Sequence, residues 1–339
     1  MAKRNSSGFS RLIGINKPIG MSSHDVVNRV RRIFNERRVG HAGTLDPLAS
    51  GVLLVCVGPA TRLDAFLVGH GKRYKMGVTF GISTTTDDSE GEILKELPYS
   101  EQLQESNFAH TFVHNMVGKG TQIPPVYSAI KVNGKKAYQQ ARSGNVIDLC
   151  PRPFEIYDAE LLQVSNAKRI DGKQATEWLC EMSVSKGTYM RSIARDMGRD
   201  LSTCAYVSAL ERVRSGSISL DDCVTLEELE QNHDAGVIDP LKALEIRFAF
   251  ARSCADKVKH GSWLSEDDLV LNEPLLNECF PICTCTTSII PSSKPPVTGE
   301  VIGVIVDNRL QAIYEYKESE HRYVPRCVFS IGVERGKTV

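Results

Sequence analysis

The chain has no net charge: 41 lysines and arginines stand against 41 aspartates and glutamates in 339 residues. Taken alone, that balance argues weakly against a nucleic-acid binder, whose domains are usually basic. No apolar run is long enough to span a membrane, which sets aside a helical membrane protein. No secretory signal precedes the ten cysteines, so they are expected to be reduced thiols in a cytoplasmic protein rather than a disulfide framework. Cys279, Cys283 and Cys285 lie close together, but their spacing is no standard zinc pattern and no matching Cys/His pair lies nearby; no metal is expected. Internal repeats and long low-complexity segments are also missing, which excludes solenoids.

What is present is ordinary in amount and uneven in placement. A hydrophobic fraction of 41% and a charged fraction of 24% fit a soluble globular protein. The length suits two domains, or one large domain with an appendage, and needs no covalent staples. The first 24 residues hold no acid, and Arg29, Arg31, Arg32, Arg37 and Arg38 crowd ten positions. A solvated helix face followed by a basic loop accounts for them. A basic head is also a mark of organellar targeting segments, although this one is short and not clearly amphipathic.

Hydrophobic periodicity gives the elements. Lys17-Pro18-Ile19-Gly20 is a turn signal. Ser22 or Ser23 then caps a helix with Asp25 in its first turn and Val26, Val27, Val30, Ile33 and Phe34 at helical spacing. Residues 35–51 read as a loop, and the continuous apolar run 52–57 as a strand buried on both faces. From Lys72 to Gly81, Tyr74, Met76, Val78 and Phe80 share one face, and Arg73, Lys75 and Thr79 the other. Residues 101–118 read as helical, and 119–153 as an excursion from the main body. Trp178, Cys180, Met182 and Val184 line one face of a further strand. The turn Ser185-Lys186-Gly187-Thr188 leads into a helix with Met190, Ile193, Ala194, Met197 and Leu201 as its apolar stripe. Residues 205–230 add a strand and a short helix. Composition shifts near 246, and the alternation on either side of Asp307-Asn308 is a β-hairpin pattern, so a small β-rich domain is expected at 246–335.

One segment exceeds what structure alone requires: Arg38-Val39-Gly40-His41-Ala42-Gly43-Thr44-Leu45-Asp46-Pro47-Leu48-Ala49-Ser50-Gly51. Pro47 biases Asp46 away from helical angles, so its carboxylate projects from a stiff loop. Asp-Pro by itself is a common turn. The whole stretch, however, resembles the signature loop of TruB pseudouridine synthases. Gly14 to Ser23 resembles that family's lysine-proline motif. Lys72-Arg73-Tyr74, with Phe80-Gly81 and Thr84 to Glu92, resembles its tyrosine motif and threonine-aspartate loop. Gln122-Ile123-Pro124-Pro125, Tyr127-Ser128-Ala129 and Lys131 resemble the start of its thumb-like insertion. Ser185 to Ile193 resembles its arginine motif, and Ala205 to Leu210 the strand that carries a pocket leucine. The matches run in family order over roughly residues 12–230.

The resemblance implies an α/β (α+β) pseudouridine synthase fold: a mixed, largely antiparallel sheet flanked by helices, with a thumb-like insertion at about 119–153. It implies a catalytic domain at 12–245 between a flexible basic N-terminus (1–11) and a small PUA-like RNA-binding domain at 246–335, where the match is weaker and the segment 268–299 departs from the pattern. The implied reaction is conversion of the tRNA T-loop uridine, position 55 of tRNA, to pseudouridine after base flipping. Asp46 is then the catalytic nucleophile, and no cofactor is needed. Arg191 is a suitable cationic partner for it, since a guanidinium in the first turn of a helix is easier to explain when an anion faces it. Tyr74, Tyr189 and Leu210 would wall the uracil pocket. His41, Asp88, Arg38, Lys72, Arg73, Lys131 and Arg142 would contact RNA, while Lys17, Pro18 and Gly43 support the Asp46 loop. The partner is the tRNA T-arm, with no obligate protein partner; the protein is expected to be a cytoplasmic monomer. Two other classes remain open on sequence: a tRNA-binding or folding chaperone without catalysis, and a carboxylate glycosidase acting on free nucleosides.

Overall fold

The computed structural model describes residues 8–128, 130–132, 135–136, 149–251, 253–275 and 290–336. Most of the expected flexible head (residues 1–7), Arg142 and the three clustered cysteines lie outside the described residues. The fold is α+β, with mixed but mainly antiparallel sheets and few helices. It divides into two compact units: Met1–Pro47 with Gly51–Gly69 and Arg214–Val339, and Leu48–Ser50 with His70–Val213.

In the first unit, the strand Arg11–Lys17 runs antiparallel to Ala49–Val57, from Arg11↔Val57 to Lys17↔Gly51, with Val237–Ile238 on its other edge. The apolar run Val52 to Val57 is buried on both faces, as its unbroken hydrophobicity predicts. Its other edge takes Val39–Ala42, a four-residue strand inside what reads as a loop. Glycine and histidine hide that strand in the sequence; pairing with a buried neighbour makes it. The first helix is Ser23–Ile33. Ser22 is its cap, with a reciprocal capping box to Asp25, and this leaves Ser23 for another task.

The C-terminal part of this unit is a six-stranded sheet, ordered Leu264–Ser265, Arg322–Glu334, Arg309–Lys317, Val301–Val306, Phe248–Phe250, Leu271–Asn272. Asp307 and Asn308 both adopt positive φ, 50° and 55°, which is the hairpin turn their alternating flanks announce. This sheet does not stand on a core of its own alone. Leu12, Val52 and Leu54 pack in one cluster with Phe248, Ile313 and Phe329. Arg11 ties the ends together through ion pairs to Glu334 and Asp234, and the Glu334 amide donates to Ser10 at 2.8 Å.

The second unit is a sheet ordered Ala205–Ser215, Lys72–Phe80, Gln174–Val184, Arg152–Lys168, Gly118–Gln122. Tyr74, Met76 and Val78 face Met182, Cys180 and Trp178 in antiparallel register, and all six are buried. Trp178 is the hub. Phe80, Phe108 and Phe112 stack edge-on around it, and its indole N–H donates to the Leu103 carbonyl at 2.7 Å. Truncating such a ring to alanine typically costs ~3–5 kcal/mol.

The helical reading of 101–118 holds only in part. A 3-10 turn, Glu101–Gln104, precedes the helix Ser106–His114, and Gly118–Gln122 is already a strand. Gly118, at φ 133°, and pairing with Arg152–Ile156 override the local helical pattern. The helix Met190–Asp200 buries the stripe Met190, Ile193, Ala194 and Met197. Its Gly198 is required by close packing, because a Cβ there would come within 2.5 Å of the Ala205 amide nitrogen.

Candidate active site

In the first unit the structure fixes the peptide on both sides of Asp46. The Ser23 hydroxyl accepts from the Leu45 amide at 2.8 Å and donates to the Leu45 carbonyl at 2.9 Å, wholly out of solvent. On the far side, the Pro47 carbonyl accepts from the Gly20 amide at 2.8 Å and faces the Lys17 ammonium at 3.5 Å. That ammonium is fully buried and also donates to the carbonyls of Pro18 (2.8 Å) and Met21 (2.6 Å). A buried ammonium needs acceptors of this kind to offset the cost of burying its charge. Pro18 itself is exposed. Gly43, at φ 90°, makes the bend that returns the chain from the short strand toward Asp46. Asp46 itself is partly exposed on this doubly anchored loop.

His41 lies in that short strand, opposite Val55. The nearby Asp64 carboxyl is pushed up by burial, and the field of His41 partly offsets the rise. Arg38 is exposed and donates to the Thr61 hydroxyl at 2.7 Å.

In the second unit, Arg191 is 5% exposed in the first turn of its helix. Asp88 faces it inside this unit, at 3.3 Å. Its guanidinium also donates to the carbonyls of Thr86 and Tyr127, each at 2.9 Å. Asp88, expected at the RNA, is 2% exposed, and the structure turns its carboxylate inward. That carboxylate accepts from the Thr86 hydroxyl at 2.5 Å and the Glu90 amide at 3.0 Å. Tyr189 caps the same helix in extended conformation, and its amide donates to the Gln122 side chain at 3.0 Å. Tyr74 and Leu210 are each 8% exposed, on the strands Lys72–Phe80 and Ala205–Ser215.

The expected basic rim is uneven. Arg73 is engaged by Glu181 and lies 3.6 Å from Asp158, so carboxylates of its own sheet offset its charge. Lys131 lies in a two-residue strand that pairs with Lys135–Lys136. Lys72 differs: burial, then the nearby charges of Arg212 and Lys186, pull its ammonium down to about 8. Three cations in one region raise the local affinity for an anion.

Sequence reasoning missed the Ser23–Leu45 clamp and the Asp88–Arg191 pair. The first had a signal, a Ser-Ser doublet of which only one can cap. The second needs the Thr84–Glu92 loop and the 190–200 helix to be adjacent, which no local pattern encodes.

With the geometry in hand, known proteins narrow the reading. A family model described as TruB family pseudouridylate synthase (N terminal domain) matches residues 31–190, and one described as tRNA pseudouridylate synthase B C-terminal domain matches residues 191–243. The tRNA pseudouridine synthase B of Pediococcus pentosaceus is 36% identical over 319 residues, covering 93% of this chain and 97% of that protein. The chain belongs to the TruB family. The tRNA pseudouridine synthase B of Pelotomaculum thermopropionicum is 44% identical over 228 residues, 67% of this chain and 70% of its own. Among solved structures, an H/ACA RNP bound to a substrate RNA containing 2'-deoxyuridine shares the fold at TM-score 0.63 and 20% identity, over 95% of this chain and 85% of that one. As a TruB-family pseudouridine synthase the protein is an isomerase. Among the described residues, no cluster of histidine, cysteine or carboxylate side chains is set to hold a metal ion, and no helix is long and apolar enough to cross a membrane.

Proposed function

We propose that this enzyme converts the T-loop uridine of tRNA, position 55, to pseudouridine, with Asp46 as the nucleophile. The observation that carries the assignment is the double anchoring of the Asp46 loop, by Ser23 at Leu45 and by Gly20 and Lys17 at Pro47. A scaffold this stiff is what a carboxylate needs to meet one atom of a flipped nucleotide. That loop lies inside the stretch matched by the family model.

The chemistry balances as an isomerisation. Asp46 forms an adduct with the nucleotide, at sugar C1′ or at base C6. The C1′–N1 bond breaks, uracil turns, a C1′–C5 bond forms, and the bond to Asp46 breaks again to return the free carboxylate. C5 loses its proton and N1 gains one, so no oxidant, metal or energy source enters. Tyr74, Tyr189 and Leu210 hold the base, and Arg191 supplies the positive charge that keeps the reaction's carboxylate ionised. Asp88 acts on Arg191 and not on RNA. His41 holds the RNA loop open, and Arg38, Lys72, Arg73, Lys131 and Arg142 contribute phosphate contacts. Residues 12–245 form the catalytic domain, with the insertion at about 119–153 closing on the T-arm, and 246–335 a PUA-like RNA-binding domain. The enzyme acts as a cytoplasmic monomer without an obligate protein partner.

Tritium release from a T-arm stem-loop carrying 5-tritiated uridine tests this. Wild type should release tritium, and Asp46→Asn should bind the RNA and release none. A wild type that binds the stem-loop and full-length tRNA but releases nothing from either would make the protein a tRNA-binding chaperone. Release from free uridine would favour a nucleoside-acting enzyme.

A further inference from the structure

Arg191 and Arg195 are one turn apart on the helix Met190–Asp200, so their side chains leave from one face. Both guanidiniums bridge the same two segments. Arg191 spans from Thr86 and Asp88 to the Tyr127 carbonyl. Arg195 spans from the Asp87 carboxylate, at 2.9 Å, to the Ile123 carbonyl, at 2.7 Å. The Ile123 carbonyl takes a second donor from the same helix, the Ser192 hydroxyl at 2.8 Å. Asp87 adopts φ 60°, a left-handed conformation that only a few residue types tolerate. Its backbone is held in that conformation by hydrogen bonds on both sides: its amide donates to Thr84, and its carbonyl accepts from Val207. Burial pushes the Asp87 carboxyl up, while Arg195 and then Arg191 pull it back down.

We infer that Arg195 and Asp87 are a positioning pair for Arg191. They set the spacing between the threonine-aspartate loop and the root of the insertion, and Arg191 takes its ligands from those same two strips of backbone. If the outer strap is cut, Thr86 and Tyr127 no longer sit at fixed separation. The inner guanidinium then keeps its charge but loses its single orientation. Substrate binding, which rests on other groups, is left in place; the chemical step is not. Neither Asp87 nor Arg195 touches the reacting atoms in this scheme.

The inference rests on the pseudouridine synthase reading above, and the experiment separates the two. Asp87→Asn keeps the shape and tolerates the left-handed backbone, and Arg195→Gln removes the bridging charge. Each should lower kcat for tritium release about tenfold, the effect of losing one charge-assisted hydrogen bond. KM and RNA affinity should stay at the wild-type value, and the double variant should be no worse than the poorer single one. Wild-type kcat in both single variants, or a double variant whose loss is the product of the two, would overturn the inference. Losses that follow a fall in melting temperature and vanish where the variants are fully folded would overturn it equally. A wild type that releases no tritium removes the underlying reading; an active wild type with unaffected variants removes this inference alone.

Discussion

Ser23 hydrogen-bonds both the amide and the carbonyl of Leu45, the residue immediately before Asp46. A single hydroxyl at the second of two adjacent serines thereby couples the first helix to the loop proposed to carry the nucleophile. Ser23→Ala leaves a buried N–H and a buried C=O unsatisfied, at a cost of about 1–3 kcal/mol. The expected result is a modest fall in the urea midpoint and a disproportionate loss of kcat. Ser23→Thr, which keeps the hydroxyl, should restore most of it. Denaturation and tritium release on the same preparations check both.

Asp88 is expected to matter through Arg191. Asp88→Ala would leave a 5% exposed guanidinium without the carboxylate that faces it at 3.3 Å. Removing one partner of a buried pair costs about 3–5 kcal/mol, so the variant should unfold at clearly lower denaturant. Asp88→Asn can keep the bonds from Thr86 and Glu90 through its amide oxygen, but it turns an NH2 toward the guanidinium and drops the charge, so it should lose activity with a smaller loss of stability than Asp88→Ala. RNA affinity measured by filter binding should change little in Asp88→Asn. A large loss of affinity would return Asp88 to the RNA interface.

Lys72 gives the protein a pH dependence with a defined sign. Its folded-state value is about 8, below the ordinary lysine value of 10.5. Between these two values the unfolded chain holds a proton that the folded chain has released, so stability should rise with pH across that window. Affinity for the RNA stem-loop should move the other way, weakening as pH passes 8 and the ammonium loses its charge. Lys72→Met should flatten both trends. Chemical denaturation and binding titrations at pH 7 and pH 9 measure them.

Much of the fold was legible because short-range pattern and final environment agree. The unbroken run from Val52 to Val57 is buried on both faces, and Tyr74, Met76 and Val78 share the inward face of their strand. Asp307-Asn308 forms the turn that its flanks announce. What could not be read is set by distance along the chain. Val39–Ala42 is a strand only because Ala49–Val57 offers an edge, and the helical pattern of 101–118 yields to a strand where Arg152–Ile156 pairs with it. At the site, the residue types were legible and their partners were not. Asp88 and Arg191 are 103 positions apart, a separation that no periodicity reports.

The first unit has a consequence for how the protein is made. Arg11–Lys17 can pair early with Ala49–Val57, but its other edge takes Val237–Ile238 and Arg11 takes Glu334, so the first described strand completes its partners only when those late residues have left the ribosome. The strands around Trp178 lie between Lys72 and Ser215 and have all been made well before then. During synthesis the middle of the polypeptide can therefore settle while one edge of Arg11–Lys17 is still unpaired. A nascent chain arrested short of residue 320 should carry a protease-resistant centre and a protease-sensitive start.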